Sequence, residues 1–282
     1  MSVLDEVGIH ENVPHEEYLA LRALSQGSIK TLLDCPARYA WELEHPREVG
    51  AAADLGSVVH GLVLGSGPGI VKIDADDWRT KAAQQQRDSA KADGLVPILA
   101  SAYDEAMVMA EAVLAHPKAR ALLEAEGDAE LSMRWNHLHD EEVIPFRGRI
   151  DKVSYVDAAA VLVDLKTARS ASPREFVRAV FNYGYHVQHV VYQDGWQALT
   201  GYEPDFQFIV VESARPYLTA VYRLDEVAVE YGWQQVTQAL DTYLACSRSG
   251  FWPGYGGDET VTLDSPRWVK GSLRFGNSEA DF

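Results

Sequence analysis

The sequence is poor in cysteine, in basic charge and in long apolar runs. Its 282 residues include two cysteines, Cys35 and Cys246, far apart along the chain. Two thiols exclude a four-cysteine zinc or iron–sulfur site and suggest no disulfide framework. A reducing, cytoplasmic setting is the simplest expectation. Lys and Arg number 25 against 42 Asp and Glu, a formal net charge of −17. That imbalance argues against nucleic-acid binding by the surface as a whole, while leaving room for a local basic channel. No run approaches the length of a membrane span. The opening MSVLDEVGIHENVPHEEY is acidic and lacks an apolar centre, so it does not read as a signal peptide. No internal repeat, low-complexity tract or composition shift marks a linker.

What the chain does contain is one organising stretch, residues 147–167, RGRIDKVSYVDAAAVLVDLKT. Residues 146–156 alternate and are rich in β-branched and aromatic side chains. Residues 161–167 are a short apolar run, and 157–160 read as the turn of a β-hairpin. A turn centred near Ala158 and Ala159 sets Asp151 opposite Lys166. Asp164 and Lys166 are two apart and share a face of the sheet. Burying such groups among apolar flanks costs several kcal/mol unless they pair or bind a metal. Two aspartates on adjacent strands make a hard, oxygen-rich site suited to Mg²⁺ or Mn²⁺. A lysine beside them can polarise a water and stabilise charge on a phosphate. A salt-bridged pair on a hairpin edge also accounts for these three residues taken alone.

Basic residues gather in and after the hairpin: Arg147, Arg149, Lys152, Lys166, Arg169, Arg174 and Arg178. Acidic residues gather elsewhere, including 11–17 and 124–130. Residues 1–23 read as extended or loosely ordered. Ser25 and Ser28 are N-cap candidates for a helix to about residue 34. Pro36 suits the first turn of a second helix, 36–44, with Tyr39, Ala40 and Trp41 on an aromatic core face. Residues 51–64, AAADLGSVVHGLVL, read as a buried helix closed by GSGPG. His60 lies on it, with Gly56 one turn earlier on the same face. Glycine there costs about 1 kcal/mol against alanine, which suggests a close approach to that face. Such a histidine is either a satisfied core residue or a ligand to a metal held elsewhere.

Further helices are expected over 74–92, capped by Asp76, and over 96–115 and 117–126. A strand follows over 129–138, with Glu130 at its start. After the hairpin come helices over 173–181 and 185–199, the second stacking Gln188 and Tyr192 on one face. Strands over 205–212 and 218–223 precede a helix that Asp225 caps and that runs to about 249. Residues 251–282 form a Gly-rich, aromatic tail whose last residues, 277–282, are expected to lack order. The element order gives an extended segment over 1–24, then one α/β domain over 25–250 with a helical N-terminal portion.

Four signals fall in one order: Gly56-Ser-Val-Val-His60, Gly148-Arg-Ile-Asp151, Asp164-Leu-Lys166 and Gln188-His-Val-Val-Tyr192. On helix, strand, strand and helix, they resemble the PD-(D/E)XK nuclease superfamily, in its RecB-like branch. The stretch LSQGSIKTLLDCPARYAWE, followed by LGSVVHGLVL, resembles the RecE-type phage exonucleases more specifically. The resemblance implies a mixed central sheet flanked by helices. It implies metal ligands at His60, Asp151 and Asp164 and at the backbone carbonyl of Leu165. Lys166 would be the catalytic lysine, and Gln188 and Tyr192 the helical motif that contacts DNA or orients the site. Glu130 matches an acidic position often found on the preceding strand and would be a further ligand.

The activity so implied is Mg²⁺-dependent 5′→3′ digestion of duplex DNA, with Mn²⁺ as a substitute, leaving 3′ single strands for recombination. Ring-shaped tetramers and a RecT-like single-strand annealing protein are the partners implied. Arg149, Lys152, Arg169 and Arg174 are candidates to hold the DNA backbone. The four-cysteine iron–sulfur branch is excluded. Asp151 follows Ile150, so the strict Pro-Asp element is absent. An endonuclease, a single-strand nuclease and a non-catalytic DNA-binding module on the same fold are the alternatives.

Overall fold

The computed structural model describes residues 4, 6–45, 55–67, 69–257 and 260–266. In chain order they form β1 (Gly8–His10), α1 (His15–Ala20), α2 (Gln26–Asp34), α3 (Pro36–Glu44), α4 (Leu55–Leu64), β2 (Ile70–Ile73) and α5 (Lys81–Ala92). Next come β3 (Val96–Leu99), α6 (Ala100–Ala115), α7 (Pro117–Glu124), β4 (Ala129–His139), β5 (Glu142–Val156) and β6 (Ala159–Ala168). Last are α8 (Pro173–Asn182), α9 (Tyr185–Thr200), β7 (Asp205–Glu212), β8 (Thr219–Tyr222) and α10 (Glu226–Ser249).

Six strands build one mixed sheet in the order β1-β4-β5-β6-β7-β8. Within it β6 and β7 run parallel, and the other pairs are antiparallel. Parallel neighbours need a crossover, which α8 and α9 supply. The sheet is covered on both faces. Leu162, Phe206, Phe208 and Val210 face one core with side chains of α2, α9 and α10. Val161, Val163, Leu165, Ile209 and Val211 face the other, against Val58 and Val59 of α4 and Met109 and Val113 of α6. A strand buried on both faces reads as an almost continuous apolar run, as VLVDLKT does. Its two charges must therefore find partners.

Several helix starts follow the expected chemistry. The Ser25 hydroxyl accepts the Ser28 N–H at 3.2 Å, and the Asp225 carboxylate accepts that of Ala228 at 2.8 Å. Other elements differ from the sequence reading. The cap of α5 is Thr80, not Asp76, and its hydroxyl accepts the Ala83 N–H. Residues 96–99, Val-Pro-Ile-Leu, are a strand and not the start of a helix; β3 pairs in parallel with β2 as a separate small sheet. Pro97 and two β-branched neighbours favour extended backbone there, and α6 starts only after them. The N-terminal segment is more ordered than expected, since β1 adds to the edge of β4 and α1 follows. Tyr39 is buried but Trp41 is 58% exposed, so only the first belongs to the core. Residues 51–54 of the expected helix and 277–282 lie outside the described residues.

The β5–β6 hairpin closes on Asp157 and Ala158, both at positive φ (50° and 64°). Two residues with φ > 0 give a turn whose twist matches the flanking strands. Val156 then stands opposite Ala159 and Lys152 opposite Val163. The turn lies one residue earlier than the sequence reading placed it. The register accordingly carries Asp151 toward Asp164, not toward Lys166.

Candidate active site

The β5–β6 ladder ends at the Lys152–Val163 pair, whereas β6 continues beside β7 to Ala168. From Asp164 onward, the β5-facing edge of β6 has no strand partner. Asp151 fills that gap. Its carboxylate accepts the Leu165 backbone N–H at 2.9 Å. A residue's N–H and C=O leave an extended strand on the same edge, so the Leu165 carbonyl points toward the same opening.

α4 brings His60 to Asp151, with Nε2 2.9 Å from a carboxylate oxygen. Its Nδ1 lies 3.3 Å from Glu130 Oε1. Burial alone would lower the imidazole's pKa. The bond to Asp151 and the charges of Asp151, Glu130 and Asp164 outweigh burial and raise it to about 9. Nε2 donates to Asp151, and the Glu130 charge beside Nδ1 favours the doubly protonated ring. Glu130 reaches the site from β4 through an unusual backbone, φ 56°. It sits between the Ala129–Lys152 and Leu131–Ile150 pairs, across from Asp151. Positive φ at a glutamate costs on the order of 1 kcal/mol or more, and such strain gathers at functional sites. Burial pushes the Glu130 carboxyl up, with His60 opposing.

Asp164 is 2% exposed. One of its oxygens accepts the Gln188 side-chain N–H at 2.5 Å. The other lies 2.6 Å from Lys166 Nζ, its one polar neighbour among the described residues. Burial, aided by the charge of Asp151, pushes this carboxyl up to about 6 against the pull of Lys166. Burial would lower the Lys166 ammonium, but Asp164 and Asp151 raise it above the ordinary lysine range. Tyr192 is buried one turn after Gln188, and burial holds its phenol well above its usual pKa. Its ring lies against Gly148, where a Cβ would come within 3.1 Å of Cε1. The glycine of Gly148-Arg-Ile-Asp151 therefore makes room for the tyrosine of the helical motif.

The family model for the PDDEXK-like domain of unknown function (DUF3799) matches residues 25–262. The chain belongs to this family. No curated protein matches it. A crystal structure described as "Putative exonuclease" from Eubacterium rectale superposes with a TM-score of 0.61 at 13% identity, over 93% of this chain and 99% of that one. At that identity the likeness shows the fold. SSO0001 reaches a TM-score of 0.40 at 14% identity, over 82% of this chain and 80% of that one. LHK-Exo in complex with dAMP reaches 0.26 at 13% identity, over 69% and 92%. Neither overlap is close enough to carry an argument. This DUF3799 chain thus has a PDDEXK-like nuclease fold: a six-stranded mixed sheet flanked by helices, with α1 to α4 preceding most of it. No helix among the described residues is long and apolar enough to cross a membrane.

In this DUF3799 domain His60, Glu130, Asp151, Asp164, the Leu165 backbone, Lys166, Gln188 and Tyr192 gather around the parting of β5 and β6. The basic residues expected to hold DNA do not all gather there. Lys152 is 7% exposed, and its ammonium donates to the Gly127 carbonyl at 2.6 Å. It is turned into the protein and is not placed to meet a phosphate. Arg149 is committed to Ser132 Oγ at 3.1 Å and the Val13 carbonyl at 2.8 Å, with Glu130 3.9 Å away. Arg169 and Arg174 are exposed, near the end of β6 and at the start of α8.

Sequence reasoning missed three neighbours of the site. Tyr185 lies with its ring centroid 4.9 Å from Lys166 Nζ, and Lys30 approaches the same ring. Tyr18 of α1 lies under the guanidinium groups of Arg147 and Arg149, at 5.0 and 4.5 Å. The position of Tyr185, three before Gln188 on one helix face, was the available signal for the first. Lys30 and Tyr18 reach the site through long-range contacts that local spacing does not announce.

The donors fit a hard divalent cation. Carboxylates and a backbone carbonyl are the oxygen ligands such ions take, and the one imidazole beside them leans the set toward the transition-metal side, Mn²⁺ over Mg²⁺. Asp164 Oδ2, buried and met only by the Lys166 ammonium among the described residues, keeps a lone pair to offer a cation. As placed, the carboxylates turn onto His60 and Lys166. Among the described residues, no three His, Cys, Asp or Glu side chains enclose a point where an ion would sit.

Proposed function

We propose that this protein is a metal-dependent deoxyribonuclease, and specifically an exonuclease that digests linear duplex DNA 5′→3′ and leaves 3′ single strands for recombination by strand annealing. The observation that carries the reading is the meeting of Asp151, Asp164, Lys166 and His60 where β5 and β6 part. The family's fold supports phosphodiester hydrolysis. The finer assignment, to a RecE-like phage enzyme, rests on the sequence motifs.

His60, Asp151, Asp164, the Leu165 carbonyl and Glu130 would hold Mg²⁺ or Mn²⁺. When bound, the cation supplies Lewis-acid polarisation of the phosphate and charge stabilisation on its oxygens. The chain's own groups do the rest. Lys166 orients the attacking water and offers positive charge to the phosphate oxygens. Asp164 fixes the Lys166 ammonium, and Gln188 fixes Asp164. Asp151 ties the loose edge of β6 to the end of β5 and keeps both carboxylates in register. His60 would hold the cation as neutral imidazole, so binding would release the proton it shares with Asp151. Exposed Arg169 and Arg174 would meet the DNA backbone. A homo-oligomer, a tetrameric ring in the RecE-like reading, and a RecT-like annealing protein would be the partners, in the host cytoplasm.

The test is digestion of 5′-labelled and 3′-labelled linear duplex with Mg²⁺, Mn²⁺ or EDTA, using wild type and Lys166→Ala. Early release of the 5′ label that needs both metal and Lys166 is the expected result. Cutting of closed circles would replace the exonuclease with an endonuclease. No cleavage by folded protein with either metal would leave a DNA-binding module.

A further inference from the structure

Lys30 has no part in the chemistry derived so far, yet the structure holds it at the site. It projects from α2 across to the start of α9, where its ammonium donates to the Tyr183 carbonyl at 2.9 Å. Its stem crosses Gly184. A Cβ there would come 2.8 Å from Lys30 Cδ, and the residue also has φ 65°. Glycine at 184 thus satisfies a left-handed backbone and leaves a channel for the lysine.

The ammonium so placed lies 6.0 Å from the centroid of the Tyr185 ring, and that of Lys166 lies 4.9 Å from the same centroid. The ring's electron-rich face attracts each cation, but the two cations repel one another. Burial and the charge of Lys166 lower the Lys30 ammonium to about 8, with Asp164 partly compensating. Among the described residues no carboxylate lies within ion-pair distance of Lys30, and Asp164 is already held by Lys166 at 2.6 Å. A lysine kept only for packing would be more stable paired or turned to water. Two cations beside one ring, with Asp164 engaged by Lys166, instead leave positive charge available to an anion. Gly184, the N-cap of α9, offers no side-chain acceptor to that helix's first amides, which adds positive potential nearby.

We propose that Lys30 is a substrate-binding residue: its ammonium, held beside the Tyr185 ring near Lys166, binds a phosphate of the DNA strand adjacent to the scissile one. The inference rests on the nuclease reading above. A lysine meets phosphate as a point charge without base readout, so the contact is independent of sequence.

The test is equilibrium binding of a fluorescent linear duplex by the full chain over a salt series, with Ca²⁺ in place of Mg²⁺ to suppress cleavage. Lys30→Gln should weaken binding about three- to tenfold and lower the log–log salt slope by about one, because one phosphate fewer is neutralised. Lys30→Arg should restore both. In Mg²⁺ hydrolysis assays the loss should fall more on KM than on kcat. A merely structural Lys30 would lower the melting temperature and leave the salt slope intact, and that outcome overturns the inference. Wild type that cleaves duplex while Lys30→Gln keeps its slope and KM overturns it too, with the nuclease reading left standing. Wild type that neither binds nor cleaves removes the nuclease reading first.

Discussion

The Asp151 carboxylate accepts the Leu165 backbone N–H at 2.9 Å. A side chain of one hairpin strand thereby does the work of a backbone partner for the other, just where the two strands separate. The opening this leaves at Asp164 and Lys166 is the heart of the proposed site, and most expected outcomes follow from it.

Removing Lys166 should abolish activity while leaving a folded protein. Its ammonium is the positive charge nearest Asp164, so Lys166→Ala should lower kcat by about 100-fold or more, the usual scale for losing one preorganised charge donor. Steady-state cleavage of linear duplex checks this. Retention of more than a tenth of wild-type kcat would remove Lys166 from the chemistry.

Metal should stabilise the folded chain. In EDTA-treated protein, Mn²⁺ at 100 times its dissociation constant adds about 2.7 kcal/mol, a rise of several degrees in melting temperature. Asp151→Asn and Asp164→Asn should each abolish most of that rise. Equal shifts in wild type and both variants would place the ion elsewhere.

Gln188 should matter through Asp164. Its side-chain N–H bonds one oxygen of that carboxylate, and Lys166 meets the other. Gln188→Leu leaves a buried acceptor unpaired, at about 1–3 kcal/mol, and should lower both melting temperature and kcat. Gln188→Glu adds a negative charge beside Asp164 and should be worse than the leucine in thermal melts at neutral pH.

Gly148→Ala should disturb Tyr192. The new methyl would lie 3.1 Å from Cε1 of that ring and 3.4 Å from Met133 Cε. Overpacking of this kind costs about 1–3 kcal/mol. The double variant Gly148→Ala, Tyr192→Leu should recover part of the loss in denaturant unfolding. A fully additive pair would show that the two positions do not meet.

Acid should destabilise the chain through His189. This ring is buried on α9, stacked on Phe206 at 4.7 Å, and burial lowers its pKa to about 4. Between about pH 6.5 and 4 the unfolded imidazole binds a proton and the folded one does not. Stability is therefore intact above pH 6.5 and falls with pH through this window, by about 3 kcal/mol at most. His189→Phe should flatten that part of the melting-temperature profile. An unchanged slope would locate the acid sensitivity in another group.

The hairpin shows why much of the site was legible. Placing the turn one residue late shifted the cross-strand register by two. A shift of two preserves which side chains share a face. Asp151, Asp164 and Lys166 therefore came out together although the named partner was wrong. Lys152 was assigned to DNA on its charge alone. Counted from the buried Phe146 and Ile150, alternation already sets it inward, and the structure turns it to the Gly127 carbonyl. β2 and β3 were missed because four-residue strands of a small parallel pair leave little periodicity, and the apolar run of β3 merges with α6.

The site draws on α4, β4, β5, β6 and α9, and none of these alone holds two of the converging groups except β6 and α9. His60 precedes every strand of the main sheet but β1, whereas Gln188 and Tyr192 arrive only with the crossover that lets β7 join β6. A partly folded chain thus has carboxylates and lysine without the residues that fix them. In the proposed nuclease, hydrolysis would therefore require the β6–β7 pair to have closed.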